Sequence, residues 1–138
     1  MIEIQIDYRG ELHCEAMHGP STALICTDAP VDNHGKGESF SPTDLLAAAL
    51  GSCMATVMGI AARRKDVDLK GMRIRVEKYM SDEQPRRVSK LAVKIQMPIE
   101  EDHPERKLLQ ATGHGCPVRH SIHPDIEVPV TWAWANQG

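Results

Sequence analysis

Four cysteines, at positions 14, 26, 53 and 116, are the residues of this chain best suited to chemistry. A cysteine thiolate is both a nucleophile and a metal ligand, so these residues could serve redox, nucleophilic or metal-binding roles. Their spacing contains no CxxC pair, which argues against a structural zinc knuckle. Four cysteines in 138 residues are also too few for a disulfide scaffold.

Two of the cysteines have distinctive surroundings. Cys53 falls in a charge-free stretch from Leu45 to Ala62, and Cys116 stands in the segment GHGCPVRHSI. A buried free cysteine commonly packs as a small hydrophobe, which is the plainer interpretation of Cys53. A Gly-Cys-Pro turn gives no packing reason for a thiol at Cys116, and the proline leaves the preceding chain extended. Cys14 and Cys26 fall on predicted strands, and we interpret both as packing residues.

Seven histidines raise the question of a metal site. His114, Cys116, His120 and His123 lie within ten residues and are ligand types that zinc accepts. One intervening residue between His114 and Cys116 is a poor spacing for both to reach one ion. We therefore expect no metal. A metal-binding protein is a third functional hypothesis, beside the two that are given below.

The charge-free stretch is predicted to be a long central helix. Ser41 and Asp44 have the spacing of a capping box, and Pro42 suits the first helical position. The basic run that starts at Arg63 suits the helix C-terminus. Small and polar residues interrupt the stretch and no aromatic belt flanks it, so we expect a buried helix and no membrane span.

Alternating apolar and polar residues predict strands on both sides of this helix. The predicted strands are 1–8, 12–17, 23–26, 72–80, 87–97 and 126–134, and two further helices are predicted at 101–112 and 117–122. Residues 28–40 are a predicted loop, and Pro98 is expected to end the fifth strand. This order gives an α+β fold in a single domain, residues 1–138.

The composition excludes several classes of protein and favours a second copy of the chain as partner. A net charge of −3 and only five aromatic residues argue against nucleic-acid binding. Residues 1–17 lack the pattern of a signal peptide, so we expect a cytoplasmic protein with no membrane association.

A small chain cannot easily surround an all-apolar helix, and the small residues of that helix would allow a close approach of another backbone. We therefore expect a homodimer.

Two segments together carry a family resemblance. The string SPTDLLAAALGSCMA at 41–55, followed by CPVRHSI at 116–122, resembles the OsmC/Ohr family of osmotically inducible and organic hydroperoxide resistance proteins. The resemblance extends over essentially the whole chain. It implies an OsmC-like fold, with antiparallel β-meanders around a long buried central helix, and an intertwined homodimer with its active site at the interface.

The resemblance also implies an activity, that of a cysteine-based peroxidase reducing organic hydroperoxides. Cys53 would be the peroxidatic residue, oxidised to a sulfenic acid, and Cys116 the resolving residue, which forms an intramolecular disulfide with it. An external thiol or dithiol would then reduce the disulfide, and no cofactor is needed. On this basis the two sulfurs are expected to lie a few ångströms apart.

The means of activating Cys53 departs from the family pattern. In relatives an arginine activates the peroxidatic cysteine, and a glutamate near the helix start holds that arginine. This chain has Thr43 at the position of the glutamate. Because the helix dipole acts only near the first turn, Cys53 needs a cation from elsewhere. Arg9, His34 and Asp44 are the candidates, with plainer interpretations as a surface charge, a solvated loop residue and a helix cap.

The missing glutamate supports a second hypothesis, a non-catalytic member that senses redox state or binds a small ligand. That hypothesis predicts that peroxide forms no fast disulfide between Cys53 and Cys116.

Overall fold

The computed structural model describes residues 1–136, in two compact units divided between Leu46 and Ala47. Its elements are β1 (Ile4–Gly10), β2 (His13–His18), β3 (Leu24–Asp28), a 3-10 turn (Val31–Asn33), α1 (Pro42–Arg64), β4 (Arg73–Met80), β5 (Val88–Glu100), α2 (Arg106–His114), α3 (Pro117–Ser121) and β6 (Val130–Ala135). The α+β class and the order of the elements are as predicted.

The first unit contains an antiparallel meander in the order β1-β2-β3. The pairing of its strands gives two faces, because alternate residues of a strand point to opposite sides. We call one the apolar face; it comprises Ile4, Ile6, Tyr8, Cys14, Ala16 and Ile25, together with His18 and Thr27. The polar face comprises Gln5, Asp7, His13, Glu15, Cys26 and Asp28, together with Met17 and Leu24.

Helix α1 begins with the predicted capping box. The Asp44 N–H donates to Ser41 Oγ at 3.1 Å, and the Ser41 N–H donates to Asp44 Oδ2 at 2.9 Å. Pro42 is the first helical residue, where its missing N–H costs nothing. The basic residues Arg63 and Arg64 close the helix at its negative end.

The second unit packs the rest of α1 on the sheet β4-β5-β6. Strand β5 has the predicted alternation, with every second residue from Leu91 to Ile99 buried. Gly51 lies so close to β4 that an added Cβ would be 3.1 Å from Val76 Cγ2 and 3.4 Å from Ile74 Cγ2. Gly113 of α2 approaches Met58 in the same way. Small residues therefore set the spacing between α1 and its neighbours.

The prediction of antiparallel meanders is wrong for strand β6. It pairs parallel to β5, with Ile95 opposite Trp132, while β4 and β5 pair antiparallel. The chain between β5 and β6 contains α2 and α3, and such a crossover returns the next strand in the same direction.

Several boundaries were also predicted wrongly. Strand β5 continues through Pro98 to Glu100, because its pairing with β4 ends at Gln96 and its pairing with β6 skips from Gln96 to Glu100. The missing N–H of Pro98 therefore breaks no ladder bond. Helix α2 begins at Arg106, not residue 101, because Pro104 disfavours helical geometry in the residue before it.

In the single chain, helix α1 buries one stripe of residues and not its whole circumference. This agrees with the expectation that a chain of this size cannot surround the helix alone. The buried residues are Ala47, Leu50, Gly51, Met54, Met58 and Ala62. Ala48, Ser52, Thr56 and Ile60 are exposed in the single chain. Within residues 1–136, α1 is the one helix long and apolar enough to cross a membrane. Its buried stripe identifies it as the core helix of the second unit.

Candidate active site

Cys116 stands at the junction between α2 and α3, where the backbone turns to start the short helix. Its backbone is extended, at φ −65° and ψ 147°, as the following Pro117 requires. The Cys116 sulfur acts as the N-cap of α3 and accepts a hydrogen bond from the Arg119 N–H at 3.4 Å. The residue is 0% exposed, so this thiol is held in a fixed position.

Cys53 approaches Cys116 from α1. It is half-buried and lies close enough to Cys116 to influence the ionisation of that thiol. Both residues are free thiols in the structure. The fold thus makes neighbours of two thiols that are 63 positions apart in the sequence, and their separation of a few ångströms stays a prediction.

The surroundings of Cys116 favour its protonated form. Burial raises the pKa of the Cys116 thiol above its usual value, because a thiolate is poorly solvated there. The neighbouring Cys53 acts in the same direction, while the backbone hydrogen bond from Arg119 partly opposes the rise. Cys116 is thus a thiol at neutral pH.

Arg9 engages a carboxylate on its own sheet. Its Nη2 lies 2.9 Å from Glu15 Oε2, and its Nε reaches the same oxygen at 3.3 Å. The hydrogen bond and charge of Glu15, with a contribution from Asp7, raise the pKa of Arg9. The cation that sequence reasoning selected as a candidate activator is therefore paired with Glu15 in the first unit.

The other two candidate activators also belong to the first unit. Asp44 uses Oδ2 for the capping box of α1. His34 is exposed and left-handed, at φ 69°, and ends the turn Val31–Asn33. The capping interpretation of Asp44 is confirmed, and the activating roles of Arg9, His34 and Asp44 stay predictions.

The histidines near Cys116 do not gather around one point. His114 instead packs edge-on against Trp132 at 5.8 Å between ring centroids, and Trp132 stacks on Trp134 at 5.8 Å. The two tryptophans therefore share one side of β6. Among residues 1–136, the one group of three or more side chains placed to hold a metal is His13, Glu15 and Cys26, in the first unit.

Sequence reasoning missed two features. The amide of Arg119 as a partner of Cys116 could have been inferred from the proline that starts α3, since the residue before such a helix is its cap. Cys26 was wrongly interpreted as a packing residue, because it is exposed and lies on the polar face. The alternation of His13 with Glu15, and of Cys26 with Asp28, was the available signal.

Comparison with known families decides the relationship of the chain. The model of the family described as OsmC-like protein matches residues 35–131, which include both Cys53 and Cys116. The chain belongs to the OsmC-like family. A solved structure from Psychrobacter arcticus 273-4 is 46% identical, covers 96% of each chain and has a TM-score of 0.90. It is provisionally named an osmotic stress induced and detoxification response protein.

More distant structures share the fold of this OsmC-like protein. An organic hydroperoxide resistance protein OsmC from Legionella pneumophila is 18% identical, with 96% of each chain covered and a TM-score of 0.73. The organic hydroperoxide resistance protein OhrB of Bacillus subtilis is 12% identical, covers 96% of this chain and 97% of its own, and has a TM-score of 0.67. Functionally curated proteins give no significant match.

Proposed function

We propose that this OsmC-like protein is a cysteine-based peroxidase that reduces organic hydroperoxides. The observation that carries the proposal is the pair of neighbouring free thiols, Cys53 and Cys116. Two relatives of the same fold are named organic hydroperoxide resistance proteins, which agrees with this chemistry. We place the reaction in the cytoplasm, where oxidised cysteines can be recycled.

The first step is attack of the Cys53 thiolate on the distal oxygen of a hydroperoxide. The O–O bond breaks, an S–O bond forms, and an alcohol leaves after taking up one proton. Cys53 is then a sulfenic acid, oxidised by two electrons, and the peroxide is reduced by two. The proton that Cys116 keeps at neutral pH can be donated to the sulfur of Cys53, which offers the thiolate a hydrogen-bond partner.

The second step joins the two sulfurs. The Cys116 sulfur attacks the Cys53 sulfenic sulfur, an S–S bond forms, and hydroxide leaves with the Cys116 proton as water. An external thiol or dithiol then reduces the disulfide to two thiols by exchange, and the electrons that it loses balance the cycle. No metal or organic cofactor takes part in these steps.

We further propose that the active form is a homodimer with its active site at the interface. Ile4, Ile6, Tyr8 and Ile25 of the apolar face are each more than half exposed in the single chain. The outer side of α1 exposes Ile60 among small residues. Exposed apolar surface of this extent on a small chain is typical of protein interfaces.

Peroxide consumption tests the proposal. Reduced protein should consume cumene hydroperoxide or tert-butyl hydroperoxide in the presence of a dithiol, and Cys53→Ser should lower the rate to that of the uncatalysed reaction. Cys26→Ser is the matched control, because it removes an exposed thiol from the polar face of the first unit, and it should retain the wild-type rate. Equal consumption by wild-type protein and Cys53→Ser would contradict the proposal.

A non-catalytic, redox-sensing or ligand-binding role is the second candidate, favoured by the engagement of Arg9 with Glu15. Mass spectrometry after mixing with one equivalent of peroxide distinguishes the two. A peroxidase forms the Cys53–Cys116 disulfide within the mixing time, whereas the second candidate leaves both thiols free.

A further inference from the structure

Four side chains with metal-binding or metal-supporting chemistry meet on the polar face of β2 and β3. Register pairs His13 with Asp28 and Glu15 with Cys26 across the two strands. Residues two apart on a strand share a face, so the two pairs are neighbours. A ring nitrogen of His13, a carboxylate oxygen of Glu15 and the sulfur of Cys26 all lie within 4.8 Å of one another.

The contact between His13 and Asp28 fixes which nitrogen of the ring is free. His13 Nδ1 lies 2.8 Å from Asp28 Oδ1, so Nδ1–H donates to the carboxylate and Nε2 is the ring nitrogen left to face an ion. Histidines that bind metals in proteins are oriented by such a carboxylate on the other ring nitrogen. Asp28 is itself buried, which makes this pair a fixed support.

Glu15 is engaged by Arg9, yet it keeps an oxygen for an ion. Both hydrogen bonds from Arg9 end on Oε2 of Glu15. Oε1 is therefore the oxygen that can turn to a metal, and Arg9 would hold the carboxylate in place.

We propose that His13, Glu15 and Cys26 form a binding site for Zn²⁺, with Asp28 positioning His13. Nitrogen, sulfur and carboxylate oxygen are the three donor types that zinc takes, and three protein ligands leave its fourth tetrahedral position for water or another donor. A purely oxygen-binding ion such as Mg²⁺ or Ca²⁺ would not select a thiolate. Binding releases the proton of the Cys26 thiol to solvent, since only the thiolate is a ligand.

The proposed ligands all belong to one face of the meander in the first unit. Its ligands lie on the polar face, on the other side of the sheet from Ile6 and the apolar face proposed for dimer contacts. Cys26 is exposed, so an ion can reach it from solvent. Zinc bound here would also protect Cys26 from oxidation, because the sulfur lone pairs would be engaged.

The test is a Zn²⁺ titration of reduced protein against a chromogenic chelator, in a Cys53→Ser/Cys116→Ser background that removes the other thiol pair. We expect one ion per chain. Cys26→Ser should weaken binding at least tenfold, whereas Cys14→Ser, which removes the cysteine of the opposite face, should leave it unchanged. Asp28→Asn should weaken it by about 10- to 100-fold, as loss of a supporting carboxylate does.

Cobalt substitution supplies the second readout. Co²⁺ at this site should show the near-ultraviolet absorption of a thiolate-bound ion, lost in Cys26→Ser and kept in Cys14→Ser. Circular dichroism confirms that each variant is folded. Binding that is equal in the background protein and in Cys26→Ser, or the absence of binding at stoichiometric zinc, would overturn the proposal.

Discussion

At the scale of single residues, the two thiols of the candidate site differ in their surroundings although they are neighbours. Cys116 is fully buried and caps a helix, whereas Cys53 is half-buried on α1. The more accessible sulfur is the one to which we assign the first contact with peroxide. The buried sulfur has its proton held and its position fixed, which suits the second, intramolecular step.

Removing the resolving thiol should stop the cycle halfway. We expect Cys116→Ser to consume about one equivalent of hydroperoxide per chain and then stall in the absence of a small thiol. A dione reagent specific for sulfenic acids should label Cys53 in this variant, and wild-type protein should escape labelling because its disulfide forms first. Labelling of the wild type to the same extent would show that Cys116 does not resolve the intermediate.

The raised pKa of Cys116 predicts a dependence of stability on pH. The folded state holds this proton more tightly than the unfolded state, so protonated Cys116 contributes to the free energy of unfolding. That contribution is fully present below the ordinary thiol pKa of about 8.5. It is lost as pH rises toward the raised value. Urea unfolding should therefore give a free energy that falls from pH 8.5 upward.

Cys116→Ser is the matched variant for that experiment, since serine can still cap α3 but does not titrate in this range. Its unfolding free energy should fall less over the same interval. A parallel decline in both proteins would assign the effect to other groups.

At the scale of elements, helix α1 depends on small residues to approach its neighbours. Gly51→Ala should lower the free energy of unfolding by a net amount of about 1 kcal/mol, because overpacking against β4 exceeds the gain in helix propensity. The added Cβ would lie 3.1 Å from the stiff, branched Val76. Chemical denaturation measures the change.

Gly113→Ala is the companion variant, because its added Cβ would also lie 3.1 Å from a neighbour, the Met58 sulfur. Methionine is flexible and can move aside, so this variant should lose less. Greater stability of Gly51→Ala than of the wild type would contradict the close packing described here.

The start of α1 gives a test that separates capping from activation. Ser41→Ala should cost about 1 kcal/mol of stability, because it removes the acceptor for the Asp44 N–H. Asp44→Asn keeps an acceptor oxygen but loses the charge, and we expect it to retain both stability and peroxide consumption. A selective loss of consumption in Asp44→Asn would instead make Asp44 an activating residue.

At the scale of the whole molecule, the first unit is a sheet whose apolar residues are exposed in the single chain. Ile6→Glu places a charge on the apolar face and should shift the protein from dimer to monomer in sedimentation equilibrium. Gln5→Glu introduces the same charge on the polar face one residue away, and should stay dimeric. Identical sedimentation of the two variants would exclude this face as the contact.

Local patterns in the sequence predicted most of the fold. The alternation of β1, β4 and β5, the capping residues Ser41 and Asp44, and the Cys-Pro start of α3 are all short-range signals, and each agrees with the structure. The parallel pairing of β6 depends on where a crossover returns the chain, which a strand's own residues do not encode. Pro98 was wrongly expected to end β5 for a similar reason. Whether a strand can contain a proline depends on its neighbours, and the pairing of β5 with β4 ends before Pro98.

The candidate site was predictable only in part. Cys53 and Cys116 were identified by their motifs, and the fold brings them together. The engagement of Arg9 by Glu15 and the convergence of His13 with Cys26 arise from the register of a meander, which one residue of slip would change completely. Clusters of this kind need the strand pairing before they can be seen.

The stacked indoles of β6 make the chain its own optical probe. Both tryptophans, Trp132 and Trp134, belong to the second unit, while the first unit has Tyr8 as its one tyrosine. Indole emission during denaturation therefore reports loss of the sheet β4-β5-β6. The meander has to be followed by backbone signals, or by tyrosine emission in a variant that lacks Tyr79 of β4. If the two kinds of trace separate along the denaturant axis, the halves of the chain melt independently.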